Sequence, residues 1–151
     1  MTKQLDPHRN ICCLIAQLEH SLSHEITSSL GDVGITPLQL QVLAELSIEP
    51  GLSTADLARY TRVTPQNMSL AVWKLIRKGF ITRGAHATNR RIHRLDLTKR
   101  GDAVFNRAVA LAKKVEARVF GGLSARERKI VINSLQRSLA RLEEAEPSSK
   151  A

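Results

Sequence analysis

Gln66, Asn67 and Ser69 stand directly behind a Thr64-Pro65 pair, and their side chains are of the kind that read base edges. Gln and Asn can pair bidentately with adenine, Ser can donate or accept, and an apolar Leu70 can meet a thymine methyl. Lys74 adds a cation one turn on, and Asn89, Arg90 and Arg91 form a second polar and basic group. That group suits phosphate or the narrow, strongly negative minor groove of A·T-rich DNA. Sulfur offers a different chemistry. Cys12 and Cys13 are adjacent, so they supply neither a disulfide framework nor a C-x-x-C metal knuckle. A thiolate at Cys13 could be oxidised if a cation or a helix start lowered its pKa; otherwise both cysteines fill a helix face as small apolar residues. His20 and His24 lie four apart, with His8, His86 and His93 elsewhere. Two ligands fall short of the three or four that a metal site uses, and His-x-x-x-His lacks the internal Glu of the protease motif, so no metal is expected. No G-x-x-x-x-G-K, G-x-G-x-x-G or G-x-S-x-G occurs, so neither a catalytic role nor a cofactor is expected.

The partner is indicated by charge. The 151 residues carry 23 Lys and Arg against 14 Asp and Glu, a net charge of +9. Residues 59–101 alone hold eleven basic side chains and one acidic, whereas residues 1–58 hold two basic and seven acidic. Such a stripe draws in phosphate by Coulomb steering and counterion release, whatever the base sequence. The aromatic residues number five in all, Tyr60, Trp73, Phe80, Phe105 and Phe120, too few for the stacking platforms that bind single strands or RNA. Duplex DNA is therefore the expected partner. The longest apolar run is Ile11 to Ala16, far below the roughly 18 residues of a membrane span and poorly flanked for a signal peptide. A cytoplasmic protein with no membrane association is expected.

These groups are positioned by short helices with strong local start signals. Ile11, Leu14, Ile15, Leu18, Leu22 and Ile26 recur at helical spacing, which predicts a helix over about 7–30 with Gly31 as its stop. Thr36-Pro37 starts a second helix that Pro50-Gly51 ends, and Ser53 with Asp56 resembles a capping box opening a short third one to about Thr61. Thr64-Pro65 starts a fourth, with Met68, Ala71, Val72 and Leu75 inward and Gln66, Asn67, Ser69, Leu70, Trp73, Lys74 and Arg77 outward. Trp73 is expected to pack against a neighbouring element, since aromatic bodies usually bury. Residues 80–83 and 92–97 alternate as a hairpin around a basic loop, residues 84–91. Helical periodicity returns from Thr98 to Gly121-Gly122, and again from Ser124 and Glu127 onward. The fold class is mostly α (α+β): a winged helix-turn-helix between terminal helices. In such an arrangement the second helix of the pair lies in the major groove, its N-terminal residues at the base edges.

Four stretches carry more than local structure: Ile35-Thr36-Pro37-Leu38-Gln39, Ser53-Thr54-Ala55-Asp56-Leu57-Ala58, Thr64-Pro65-Gln66-Asn67-Met68-Ser69 running on through Leu75 to Ile81, and Leu95-Asp96-Leu97-Thr98-Lys99-Arg100-Gly101. The last is similar to a Leu-x-Leu-Thr run with Gly three residues after the Thr. Together they resemble the MarR-type winged-helix transcriptional regulators over most of the chain. The resemblance implies an N-terminal dimerisation helix in 1–34, a DNA-binding winged helix in 35–100, C-terminal dimerisation helices in 101–146 and a frayed tail, 147–151, in a single structural domain. It also implies a homodimer on a pseudo-palindromic operator, its half-sites roughly 34 Å apart, acting as a repressor and released by a small ligand or oxidant. DNA contacts then fall on Thr64, Pro65, Gln66, Asn67, Ser69, Leu70, Lys74, Asn89, Arg90 and Arg91. The family's wing commonly carries Asp-x-Arg where this chain has Asn89-Arg90-Arg91, and the family's recognition helix commonly carries charged residues where this chain has Leu70 and Trp73. Cys13 lies about where the organic-peroxide sensors of the family keep a reactive cysteine, but their partner tyrosines are not evident, Tyr60 being the one tyrosine. Arg9, His20 and His24 are candidates to recognise an anionic effector in the cleft between dimer helices and winged helix, where the resemblance places ligands. The alternative is a protein whose main task is sensing an oxidant, metal or ligand through Cys13 or through His20 and His24.

Overall fold

Each helix begins where a side chain satisfies backbone N–H groups that have no partner within the helix. The computed structural model describes residues 6–85 and 93–145. Asn10 accepts the amide of Cys13 at 3.1 Å and starts α1, Ile11–Leu30. The helix therefore begins later than the periodicity indicates. Pro7 belongs to a turn in which Asp6 accepts the amides of His8, Arg9 and Asn10, and this turn competes with helix at those residues. The end differs too: a 3-10 turn, Gly31–Val33, continues from α1, and Gly34 (φ 69°), not Gly31, takes the left-handed conformation.

Thr36 and Gln39 exchange hydrogen bonds at the start of α2, Pro37–Ile48, and Ser53 and Asp56 do the same for α3, Thr54–Thr61. Gln39 is only 2% exposed, and its amide oxygen accepts from the Thr36 N–H, so burying it leaves that oxygen bonded. Thr64 caps α4, Pro65–Arg77, by accepting the Asn67 amide. A two-stranded antiparallel sheet follows, β1 (Ile81–Ala85) against β2 (His93–Leu97), with Ile81 opposite Leu97 and Ala85 opposite His93. Gly84 and Ala85 therefore extend the strand, paired with Arg94 and His93, instead of opening the loop. β2 is tied on its other side: Gly51 N–H donates to Leu95 O and Leu95 N–H to Leu52 O, and the Arg94 guanidinium lies where a side chain at residue 51 would stand.

The chain divides into two compact units, residues 1–115 and 116–151. The core of the first is Val42, Leu43 and Leu46 of α2, Leu57 and Ala58 of α3, Met68, Val72 and Leu75 of α4, and Ile81 and Leu95 of the sheet, closed by Leu30, Ile35 and Ala108. Outside this core α1 leaves Ile11, Leu14, Ile15 and Leu18 exposed. The second unit holds the end of α5, Lys99–Phe120, and α6, Ala125–Ala145. A Ser124–Glu127 capping box opens α6 and an Arg128–Glu116 ion pair joins it to α5. Among its described side chains α6 buries none in the chain alone, and Ile130, Ile132, Leu135, Leu139 and Leu142 are exposed. No helix among the described residues is long and apolar enough to cross a membrane.

One junction joins helix, sheet and helix. Gly79 (φ 71°) turns the chain out of α4, in a conformation that glycine adopts without a Cβ clash. Thr98 then donates its hydroxyl to Gly79 O at 2.7 Å and its amide to Phe80 O at 3.0 Å, while its Oγ1 accepts the Gly101 amide at 2.9 Å and so caps α5. A Cβ on Gly101 would stand 1.8 Å from Phe80 O, so only glycine lets the backbones approach this closely. Gly101→Ala should therefore cost about 2 kcal/mol through overpacking, read as a lowered Tm in a thermal melt; an unchanged melt would show that the junction relaxes freely.

The α3 cap predicts a pH dependence. Hydrogen bonds from the Ser53 hydroxyl and amide, aided by Arg59 at 3.0 Å, hold the Asp56 carboxyl below its ordinary range. A depressed native pKa stabilises the fold above the unfolded value near 4, and that contribution is lost as pH falls through the lower native value. Asp56→Asn should melt below wild type at pH 7, and the gap should narrow progressively below about pH 4; a gap independent of pH would remove the charge from the explanation.

Candidate nucleic-acid interface

The turn between α3 and α4 sets the direction of the candidate reading helix. Arg62 adopts a left-handed φ of 55°, and Val63 donates back to Ala58 O, so α3 ends sharply and Thr64-Pro65 starts α4 two residues later. Met68, Ala71, Val72 and Leu75 are buried, which anchors one side of α4 in the core. Gln66, Asn67, Ser69, Leu70, Trp73, Lys74 and Arg77 are all exposed on the other. The inward and outward faces are thus those that the periodicity indicates.

Thr64 uses Oγ1 to accept the Asn67 amide, so its hydroxyl hydrogen remains a donor while one first-turn N–H is taken by the cap. Pro65 has no N–H to offer, and its fixed φ favours the first helical position. α4 contains no Asp or Glu, and Lys74 and Arg77 occupy its last turn, where cations oppose the negative helix end. Nearby basic groups are partly engaged: Arg59 bonds Asp56 and lies over the Tyr60 ring, and the Lys78 ammonium donates to Gly34 O. Leu70 and Trp73 are each 51% exposed. Trp73 keeps to the outward face, and its ring faces a residue of its own helix, the Arg77 guanidinium at 4.7 Å, where a neighbouring element is the expected partner. The inward positions at this level of α4 are already filled by Val72 and Leu75, so the indole has no place in the core. Spacing of i and i+4 was the available signal for this pair, but it does not reveal exposure.

Asn89, Arg90 and Arg91, and the site roles given to them, lie outside the described residues, as does His86. The other candidate residues sit on or just before α1. Arg9 is exposed in the turn before it, and His20 and His24 are exposed one turn apart on it. Among the described residues no three His, Cys, Asp or Glu side chains group closely enough to hold a metal ion. Cys12 is exposed and Cys13 half-buried in the first turn of α1, both as free thiols.

Comparison with known proteins gives a consistent picture. A family model described as MarR family matches residues 33–92, which span α2 to the wing. The chain is 38% identical over 104 residues to the HTH-type transcriptional repressor Rv2887 of Mycobacterium tuberculosis, covering 69% of this chain and 75% of that one. The crystal structure of the Rv2887 protein in complex with salicylic acid is 31% identical, with a TM-score of 0.69 over 91% of this chain and 98% of that chain. A MarR family regulator from Silicibacter pomeroyi has the same fold, with a TM-score of 0.82 over 96% of this chain and all of that one, at 22% identity.

Proposed function

The chain belongs to the MarR family, and from that premise we propose a homodimeric repressor that binds a pseudo-palindromic operator and is released by a small anionic ligand. It is a DNA-binding transcriptional regulator and not an enzyme. The observation that carries the operator reading is the exposed face of α4, free of carboxylates, with Gln66, Asn67, Ser69 and Leu70 in its first two turns. Placed in the major groove, Gln66 and Asn67 read adenine edges, Ser69 either partner of a pair and Leu70 a thymine methyl. Thr64 donates to a phosphate beside Pro65, Lys74 takes a second phosphate, and Asn89, Arg90 and Arg91 serve the adjacent minor groove.

Dimerisation is supported by the apolar faces that α1 and α6 leave uncovered in one chain. Exposed apolar helix faces of this kind mark interaction sites. A second copy covers it, with residues 1–34 and 101–146 supplying the dimerisation helices and 35–100 the DNA-binding part. Two-fold symmetry then fixes the half-sites roughly 34 Å apart. The relative solved with salicylic acid supports a small aromatic acid as effector, and Arg9, His20 and His24 are the groups proposed to meet its carboxylate. The protein acts in the cytoplasm, where its DNA is.

Fluorescence anisotropy against the duplex upstream of the gene and a scrambled duplex, at two salt concentrations, tests the operator reading. Sequence-dependent binding is expected, with Gln66→Ala costing about 1–3 kcal/mol on the upstream duplex alone. Arg91→Ala should lower the salt slope by about one on either duplex. Equal, weak binding to both would sink the operator reading.

Release separates the ligand reading from the thiol reading, which the position of Cys13 in the first turn of α1 favours. Salicylate should dissociate the wild-type complex and fail on Arg9→Ala, whereas release by peroxide that Cys13→Ser abolishes would replace the ligand with an oxidant.

A further inference from the structure

Gln66, Leu70, Trp73 and Arg77 follow one another at intervals of four, three and four residues, which places them in one stripe along the exposed face of α4. From Gln66 to Arg77 the helix rises about 16 Å, more than the roughly 12 Å width of the major groove. A helix whose first turns meet base edges therefore carries its last turn to the lip of the groove, where the nearest groups are phosphates. At that end Trp73 is half exposed and the Arg77 guanidinium lies 4.7 Å from its ring centroid. No carboxylate among the described residues pairs with Arg77, and α4 offers none. An exposed indole buries little on folding, but it supports a planar cation in one orientation.

We propose that Trp73 and Arg77 form a phosphate clamp at the end of the reading stripe. Arg77 contacts a phosphodiester of duplex DNA, and Trp73 is the positioning residue that holds the guanidinium flat and directed outward. The clamp rests on the reading of α4 as the groove-binding helix. It extends the contact surface beyond Lys74 by a contact that fixes register without reading sequence. The concentration of positive charge in residues 59–101 matches the occupant.

Trp73 is the chain's one tryptophan, so its emission reports this position directly. Acrylamide quenching of wild-type Trp73 should fall when the duplex upstream of the gene is added. By anisotropy of the labelled duplexes, Arg77→Ala should weaken the upstream and scrambled duplexes by the same factor and lower the salt slope by about one. Trp73→Ala should weaken both as well, the double variant should be no weaker than Arg77→Ala alone, and Trp73→Phe, which keeps a ring face, should recover binding. Unchanged quenching, an unchanged slope in Arg77→Ala, or additive losses would overturn the clamp while sequence-dependent binding by wild type left the operator reading intact. Wild-type protein that bound neither duplex would overturn both.

Discussion

The close contact between Gly101 and the Phe80 carbonyl is the constraint on which the winged helix depends. Three elements meet there: the end of α4 at Gly79, the first strand beginning at Ile81, and the start of α5 at Lys99. Thr98 serves all three with one side chain and one amide, giving a hydroxyl hydrogen to Gly79, an N–H to Phe80 and an acceptor to Gly101. The Leu-x-Leu-Thr-x-x-Gly run then has a physical cause. Leu95 and Leu97 face the core side of the strand, Thr closes the corner, and Gly admits the neighbouring carbonyl.

Electrostatics complete what packing begins. The acidic residues lie almost entirely outside the middle segment, in the first 58 positions and beyond residue 101, and some serve helix starts or local ion pairs, such as Asp56 with Ser53 and Arg59. The middle of the chain is left almost purely basic. α4 thus presents amide, hydroxyl and apolar groups toward its N-terminus and cations toward its C-terminus, an order that also suits the helix dipole.

Local signals made most of the helices legible. Thr36-Pro37, Ser53 with Asp56, Thr64-Pro65 and Ser124 with Glu127 each place a start within three or four residues of itself, and every one of these starts is present. Features set by distant partners were less legible. Gly84 and Ala85 are strand because Arg94 and His93 stand opposite them, and Gly34 rather than Gly31 ends the turn where Lys78 reaches across. The early limit set at Pro7 misses the Asp6 turn, which is local but competes with a plausible proline start. For the candidate site, the outward face of α4 follows from periodicity. That the Trp73 ring stays half exposed beside Arg77 instead of packing on a neighbouring element does not, because it depends on where the other elements lie.

The bond of Leu95 to Gly51 and Leu52 spans more than forty positions of chain. A two-stranded hairpin by itself is marginal in water, and closing so long a loop carries an entropic cost that the hairpin alone could not offset. Packing of α2, α3 and α4 has already brought the ends together, so the wing is held at little further loss of freedom. The paired strands are therefore a cooperative extension of the helical core. Arg83 and His93, on the same sheet face but beyond the core, are exposed and can be exchanged at little cost to the fold, whereas Leu95, fully buried and bonded through both its N–H and C=O, cannot.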